Sequence, residues 1–243
     1  ISPDSLPKSQ IDRAFSYLLE NAVRRQDARE KLIEAVVSEM TTSPPERDIE
    51  SQIEDDWLTH FWKMSEDIGH EQIRLFLARL LAREITQPGA IAPLTLNVLS
   101  TLTPHAAARF EHFCRLSIRD GDNVFVIHPN VFTFQNIGPL ETFGVSYEDL
   151  YELEAFGLVR SAETIMYNFT IAEGAPPTPI DYSGKAAALN FSGLQLHQLR
   201  FTRPGKELRE LLSLSPISEY TQALQDKLGA AFIFDDSTST LSR

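Results

Sequence analysis

One cysteine, Cys114, is all the chain has in 243 residues. A lone thiol excludes an intrachain disulfide framework and fits a reducing compartment, so a cytoplasmic location is expected. Long apolar runs are missing too. Nothing approaches the ~18 consecutive apolar residues of a membrane-crossing helix, and the N-terminus has no signal-peptide core. No membrane contact is therefore expected through these residues. Cations are scarce: 22 Lys and Arg face 34 Asp and Glu, giving a net charge of −12 and a pI near 4.9. Unspecific attraction to nucleic acid or anionic lipid is thus disfavoured, which leaves only a local basic patch as a route to either. The sequence also lacks a glycine-rich phosphate loop, a nucleophile beside a base, and a clustered ligand set; Gly138-Pro139 and Gly144 form no phosphate fingerprint. No catalytic residue, cofactor or metal ligand is assigned, and the protein is not expected to be an enzyme. The chain opens at Ile1 without a methionine and is read as part of a longer polypeptide.

What is present is patterned apolar sequence. With 42% hydrophobic residues the chain is expected to bury two modest cores. The strongest pattern spans positions 55–85, read as two helices joined at Ile68-Gly69. Trp57, Phe61 and Met64, with Leu58 beside them, form an aromatic ridge; Ile73, Phe76, Leu77, Leu80 and Leu81 form the matching stripe. Such stripes are usually core. Trp57, Phe61, Trp62 and Phe76 are also the candidate interaction residues, because aromatics left exposed after folding mark an interface. Arg74, Arg79 and Arg83, with Glu71 and Glu84, read as the solvated flank. Glu66 and His70 stand four apart, but Gly69 interrupts the helix between them and argues against a metal site with Asp55, Asp56 and His60. Asp67 reads as a cap for the second helix.

Ahead of this pair, Ser9 caps a predicted helix over Gln10–Met40. Its apolar residues recur at Ile11, Phe15, Leu18, Leu19, Ala22 and Val23, then at Leu32, Ile33, Val36 and Val37. The intervening Arg24–Lys31 carries both signs of charge and reads as the turn or outer face of a long or broken helix. Arg24, Arg25 and Arg29 within it are the candidate nucleic-acid contacts. Pro44-Pro45 ends the segment.

Downstream, Pro93–Thr101 is a predicted helix, and Thr103-Pro104 opens another to about Ile118. His105 and His112 share one side of it without a third ligand nearby. Then come a strand over Asn123–His128, a capping box at Ser146–Asp149 opening a helix stopped by Gly157, and strands over Thr164–Thr170 and 194–201, with a bulge expected at His197-Gln198. Thr202 restarts a helix. A last helix from Ile217 leads to Phe232-Ile233-Phe234 and a polar tail. Positions 172–193, with Pro176-Pro177 and Pro179, are expected to form a long loop that is mobile or contacts a partner.

Two resemblances follow from these residues. The Gly157-Leu158-Val159 exit, two strands and the Thr202-x-x-Gly205-x-Glu207-Leu208 restart resemble the second half of a winged-helix domain. The helix in the DNA-reading place, however, carries Glu148, Asp149, Glu152 and Glu154 and no cation, which disfavours a phosphate backbone. Separately, Asp55 or Asp56, Trp57 and Phe61, then Ile68, Glu71, Leu80, Ala82, Glu84 and Ile85, then Pro88, Gly89, Thr95, Leu96 and Leu99 resemble the bacterial DUF2806 family, a domain of unknown function. Departures are His70 and the Leu75-Phe76-Leu77 run. That family implies no activity; its layout is also similar to Abi-alpha-type abortive-infection proteins, a likeness that points to phage defence.

The expected fold is mainly α with minor α+β character: an N-terminal helical bundle followed by a winged-helix-like subdomain with a small antiparallel β-hairpin. Its expected parts are 1–45, 46–120, 121–215 and 216–243. The expected function is a non-enzymatic protein-interaction or regulatory module that binds a protein partner or itself, with nucleic acid an unlikelier partner. The alternatives are a winged-helix nucleic-acid-binding regulator and a membrane-acting effector anchored by sequence upstream of Ile1.

Overall fold

Leu32 and Val36 stand four apart and share a helix face, and that face is what fixes the first element. Helix α1 runs unbroken over Lys8–Thr42, 35 residues, through the charged middle that left a break open. It starts one residue ahead of Ser9, so Ser9 lies inside the helix and does not cap it. The computed structural model describes residues 8–42, 52–66, 68–127, 140–160, 166–170, 176–190 and 192–234. The expected cap at Asp67 and the polar tail lie outside them. The fold is mainly α, in two units, Ile1–Ser100 and Thr101–Arg243. The divisions expected near 45, 120 and 215 fall inside these units. Among the described residues no helix is long and apolar enough to cross a membrane.

In the first unit α1 is joined by α2 (Asp55–Ser65), α3 (Glu71–Thr86) and α4 (Pro93–Thr101). Its core is the predicted stripe: Trp57, Phe61, Ile73, Phe76, Leu77, Leu80 and Leu81, with Leu32 and Val36 of α1 and Leu96 and Leu99 of α4, are all buried. Glu84 departs from expectation. It is not on a solvated flank but 2% exposed, and its two carboxylate oxygens accept the backbone N–H groups of Gly89 (2.6 Å) and Ile91 (2.9 Å). The indole N–H of Trp57 donates to the Ile91 carbonyl at 3.0 Å, so two family-signature side chains, Trp57 and Glu84, hold the same turn between α3 and α4. A buried carboxylate persists because charge-assisted bonds offset its lost hydration.

The second unit opens with α5 (Pro104–Cys114), capped by Thr103, whose hydroxyl accepts from Ala106 N–H. Strands β1 (Ile118–Asp120) and β2 (Asn123–Ile127) follow, then a 3-10 turn (Leu140–Phe143) and α6 (Tyr147–Ala155). The capping box on α6 is complete: the Ser146 hydroxyl accepts from Asp149 N–H, and the Asp149 carboxylate accepts from Ser146 N–H. After β3 (Val159–Arg160) and β4 (Met166–Thr170) come β5 (Thr178–Tyr182), β6 (Lys185–Leu189), β7 (Ser192–Phe201), α7 (Arg203–Arg209), α8 (Ser218–Leu228) and β8 (Phe232–Ile233). The strands make one antiparallel sheet in the order β3-β7-β2-β1-β5-β6-β8, with β4 also on β7.

The small hairpin expected here is therefore an eight-stranded sheet. Part of the segment read as a loop is the β5–β6 hairpin, which turns at Ser183-Gly184 and pairs β5 with β1 through Ile118 and Arg119. Proline and a run of three alanines hid it, since neither favours a strand on propensity. The bulge is also displaced: register shifts at Phe169/Thr170 in β4, opposite β7. Beneath the sheet, Arg209 is 1% exposed and donates to Ser117 Oγ (2.6 Å) and Asp181 Oδ1 (3.2 Å), while Arg119 bridges Asp181 (3.4 Å) and Glu210 (2.9 Å).

Candidate interaction surface

Helix α1 carries one side-chain seam along its length, and its two halves meet different environments. Spacings alternate four and three through Ile11, Phe15, Leu18, Ala22, Arg25, Arg29, Leu32 and Val36. This is the 3.5-residue repeat by which one helix lies along another. At the C-terminal end the seam is used: α1 packs along α3, leaving Leu32 and Val36 2% and 5% exposed. At the N-terminal end it is bare: Ile11 is 42%, Phe15 66% and Leu18 65% exposed, with Leu19 (56%) and Val23 (62%) beside them. Isolated exposed apolar residues are ordinary, but a contiguous helical face of them is the feature that marks an interaction site.

Between the halves, Arg25 and Arg29 close on Glu66, the residue following α2. Arg25 Nε lies 3.5 Å from one carboxylate oxygen, Arg29 donates to the other, and the Arg29 guanidinium sits 5.8 Å from the Trp62 ring centre. Arg79 donates to Glu39 at 3.1 Å further along. These contacts fix the covered half to its neighbours. Two of the three arginines read as a nucleic-acid contact thus already face a carboxylate and an aromatic ring; Arg24 lies on the same helix, exposed.

The four aromatic candidates divide. Trp57 and Phe61 stack at 5.4 Å with their planes 7° apart, and both, with Phe76, are buried, so they are core and not surface anchors. Trp62 is half-buried, edge-on to Phe61 and under Arg29. Ile11, Phe15, Leu18, Leu19 and Val23, by contrast, announce a helix in the sequence and no surface role. The signal was available: the apolar period of positions 11–23 matches that of 32–37, but the sequence does not say which half its own chain covers.

In the second unit, side chains with chemistry to offer are engaged structurally. A cleft of about 420 Å³ runs between α5 and the start of α6, lined by His105, Arg109, Glu141, Ser146, Asp149 and Glu152. Within it His105 pairs with Glu152 (3.3 Å) and Arg109 with Asp149 (3.2 Å). Burial pushes the Asp149 carboxyl upward, but the bonds from Ser146 N–H and Oγ and the Arg109 charge outweigh it and hold the group below the usual carboxylate range. His112 Nε2 lies 2.7 Å from the Phe143 carbonyl, away from His105's partner. Cys114 is fully buried, and burial, opposed by Arg209 and reinforced by Glu111, raises its thiol well above the ordinary value. Among the described residues no three His, Cys, Asp or Glu side chains converge as a metal-holding group.

Neither the curated proteins nor the solved structures contain a match to this sequence. A family model does match, the one described as protein of unknown function (DUF2806), and it spans residues 18–225. That span takes in the covered seam of α1, the Trp57–Glu84 core and strands β1 to β7 of the sheet, and the chain belongs to the DUF2806 family.

Proposed function

We propose that this protein is a non-enzymatic interaction module of a bacterial cytoplasmic regulator, and that the uncovered half of α1 is its docking surface. The observation that carries the reading is the contiguous exposed face of Phe15, Leu18, Leu19 and Val23 on a helix rooted in its own unit by Leu32 and Val36. A rooted helix presents its free face in one orientation, which lowers the ordering cost of binding. The structural engagement of His105, His112, Asp149 and Asp181, and the raised thiol of Cys114, support a non-catalytic role.

A winged-helix-like reading of the second unit belongs to the same proposal. Its supports are the order α5, β2, 3-10 turn, α6, β3/β4, β7 and the placing of β7 between β2 and β3/β4, with β5–β6 inserted where a wing would lie. Gly205 N–H donates to the Thr202 hydroxyl, which in turn donates to the Gly157 carbonyl (2.5 Å), tying the restart to the α6 exit. This arrangement favours a second reading, a nucleic-acid-binding regulator. The exposed face of α6, with Tyr147, Glu148, Tyr151 and Glu154, is suited to a protein and repels phosphate. Placement in phage defence is carried by the Abi-alpha likeness alone.

The test is the double variant Phe15→Ser, Leu18→Ser. Both side chains face solvent, so the helical signal and melting point should hold while binding to whatever the wild-type chain binds, itself included, falls at least tenfold. Unchanged binding sinks the reading. Retention of duplex DNA at low salt, declining steeply as salt rises, would favour the nucleic-acid reading instead.

A further inference from the structure

We infer that the uncovered half of α1 pairs antiparallel with the same segment of a second copy of this chain, Ile11 lying against Ala22 of the other copy and Phe15 against Leu18. This rests on the reading of α1 as the docking surface and names its occupant. The first support is continuity of the seam. The alternating four-three spacing that seats Leu32 and Val36 on α3 continues without a slip through Ala22, Leu18, Phe15 and Ile11. The partner that spacing fits is another helix, and a lipid surface has no need of a 3.5-residue register.

The second support is charge. The chain carries −12, so two copies repel over most of their surfaces. Helix α1 adds nothing to that repulsion: six cations and six carboxylates lie in Lys8–Thr42, and no net repulsion opposes two such helices. The third is area. Ile11, Phe15, Leu18, Leu19 and Val23 each expose on the order of 100 Å² of side chain, so two copies would cover about 1,000 Å², the lower bound of a biological interface and the range of a weak, reversible pair.

Direction follows from what bounds the bare stretch. A parallel pair would set Arg25 and Arg29 of one copy against their counterparts and bring both α2–α3 bodies to the same end. An antiparallel pair centred between Ser16 and Tyr17 superposes the apolar stretch on itself. It also carries each Arg25 and Arg29, already facing Glu66, past the partner's apolar residues.

Two single variants of the whole chain, Ile11→Cys and Ala22→Cys, test this by mild oxidation, since the native Cys114 is buried and leaves little background. The expected result is a disulfide-linked pair from the mixture, none from either variant alone, and a dimer of the unsubstituted chain in sedimentation at micromolar concentration. Cross-linking of Ile11→Cys with itself overturns the antiparallel pairing. A monomer with no mixed cross-link overturns the second copy as occupant. If Phe15→Ser, Leu18→Ser then still abolishes binding of another protein, the interaction reading stands without it. If instead the variant abolishes flotation with phosphatidylglycerol vesicles, both readings fall to a lipid partner.

Discussion

Asp149 shows how a single residue decides the start of an element. Its carboxylate accepts from Ser146 N–H and the Ser146 hydroxyl, each at 2.8 Å, and faces Arg109. Because the folded carboxyl titrates below the unfolded one, its contribution is fully present above the unfolded value of ~3.9 and is lost as pH falls through the folded value. Asp149→Asn should therefore cost about 1 kcal/mol at neutral pH, and the gap between the two proteins should begin to narrow in melts taken below roughly pH 4. A gap that stays the same size as the pH falls from neutral through the acid range would mean that the carboxylate's charge is not what matters. Gly205 decides by volume. A Cβ there would stand 2.0 Å from the Leu158 carbonyl oxygen and 3.3 Å from the Phe201 ring, with no flexible side-chain end to give way at the carbonyl. Gly205→Ala should destabilise by at least about 2 kcal/mol in urea unfolding. Gly157, with φ +71 and nothing near its missing Cβ, should accept asparagine at a far smaller loss, because only backbone conformation is at stake there.

At the scale of elements, what was legible in the sequence depended on whether local chemistry and tertiary use agreed. Helices α5 and α6 appear where their threonine, serine and proline signals put them, because a cap satisfies its own helix end whatever lies beyond. The aromatic ridge was legible as core for the same reason: a wide apolar face has one favourable place. Glu84 was not, because a glutamate beside arginines looks solvated, and only the turn packed over it supplies the two N–H groups that make burial affordable. The β5–β6 hairpin was hidden for a related reason. Pro179 and Ala186-Ala187-Ala188 read as loop, and their strand character comes from pairing with β1 and β8, which no local window contains. The bare half of α1 was visible as a helix but not as a surface. Its period matches that of the covered half, and coverage is a property of the neighbours.

For the whole molecule, the helices of the first unit bury Trp57, Phe61, Leu80 and Glu84 of the family signature, and these side chains build the scaffold. The apolar face left over lies on the one helix that extends beyond that scaffold's core and carries no net charge in a strongly acidic chain. The account's central claim is that this face is an interface filled by a second copy. Amide hydrogen exchange of the full chain, followed over residues 8–23 at dilute and at concentrated protein, tests it most directly. The account predicts slower exchange over this stretch at high concentration, with exchange over α3 and the β2–β7 pair unchanged. Exchange over 8–23 that is the same at both concentrations would contradict it.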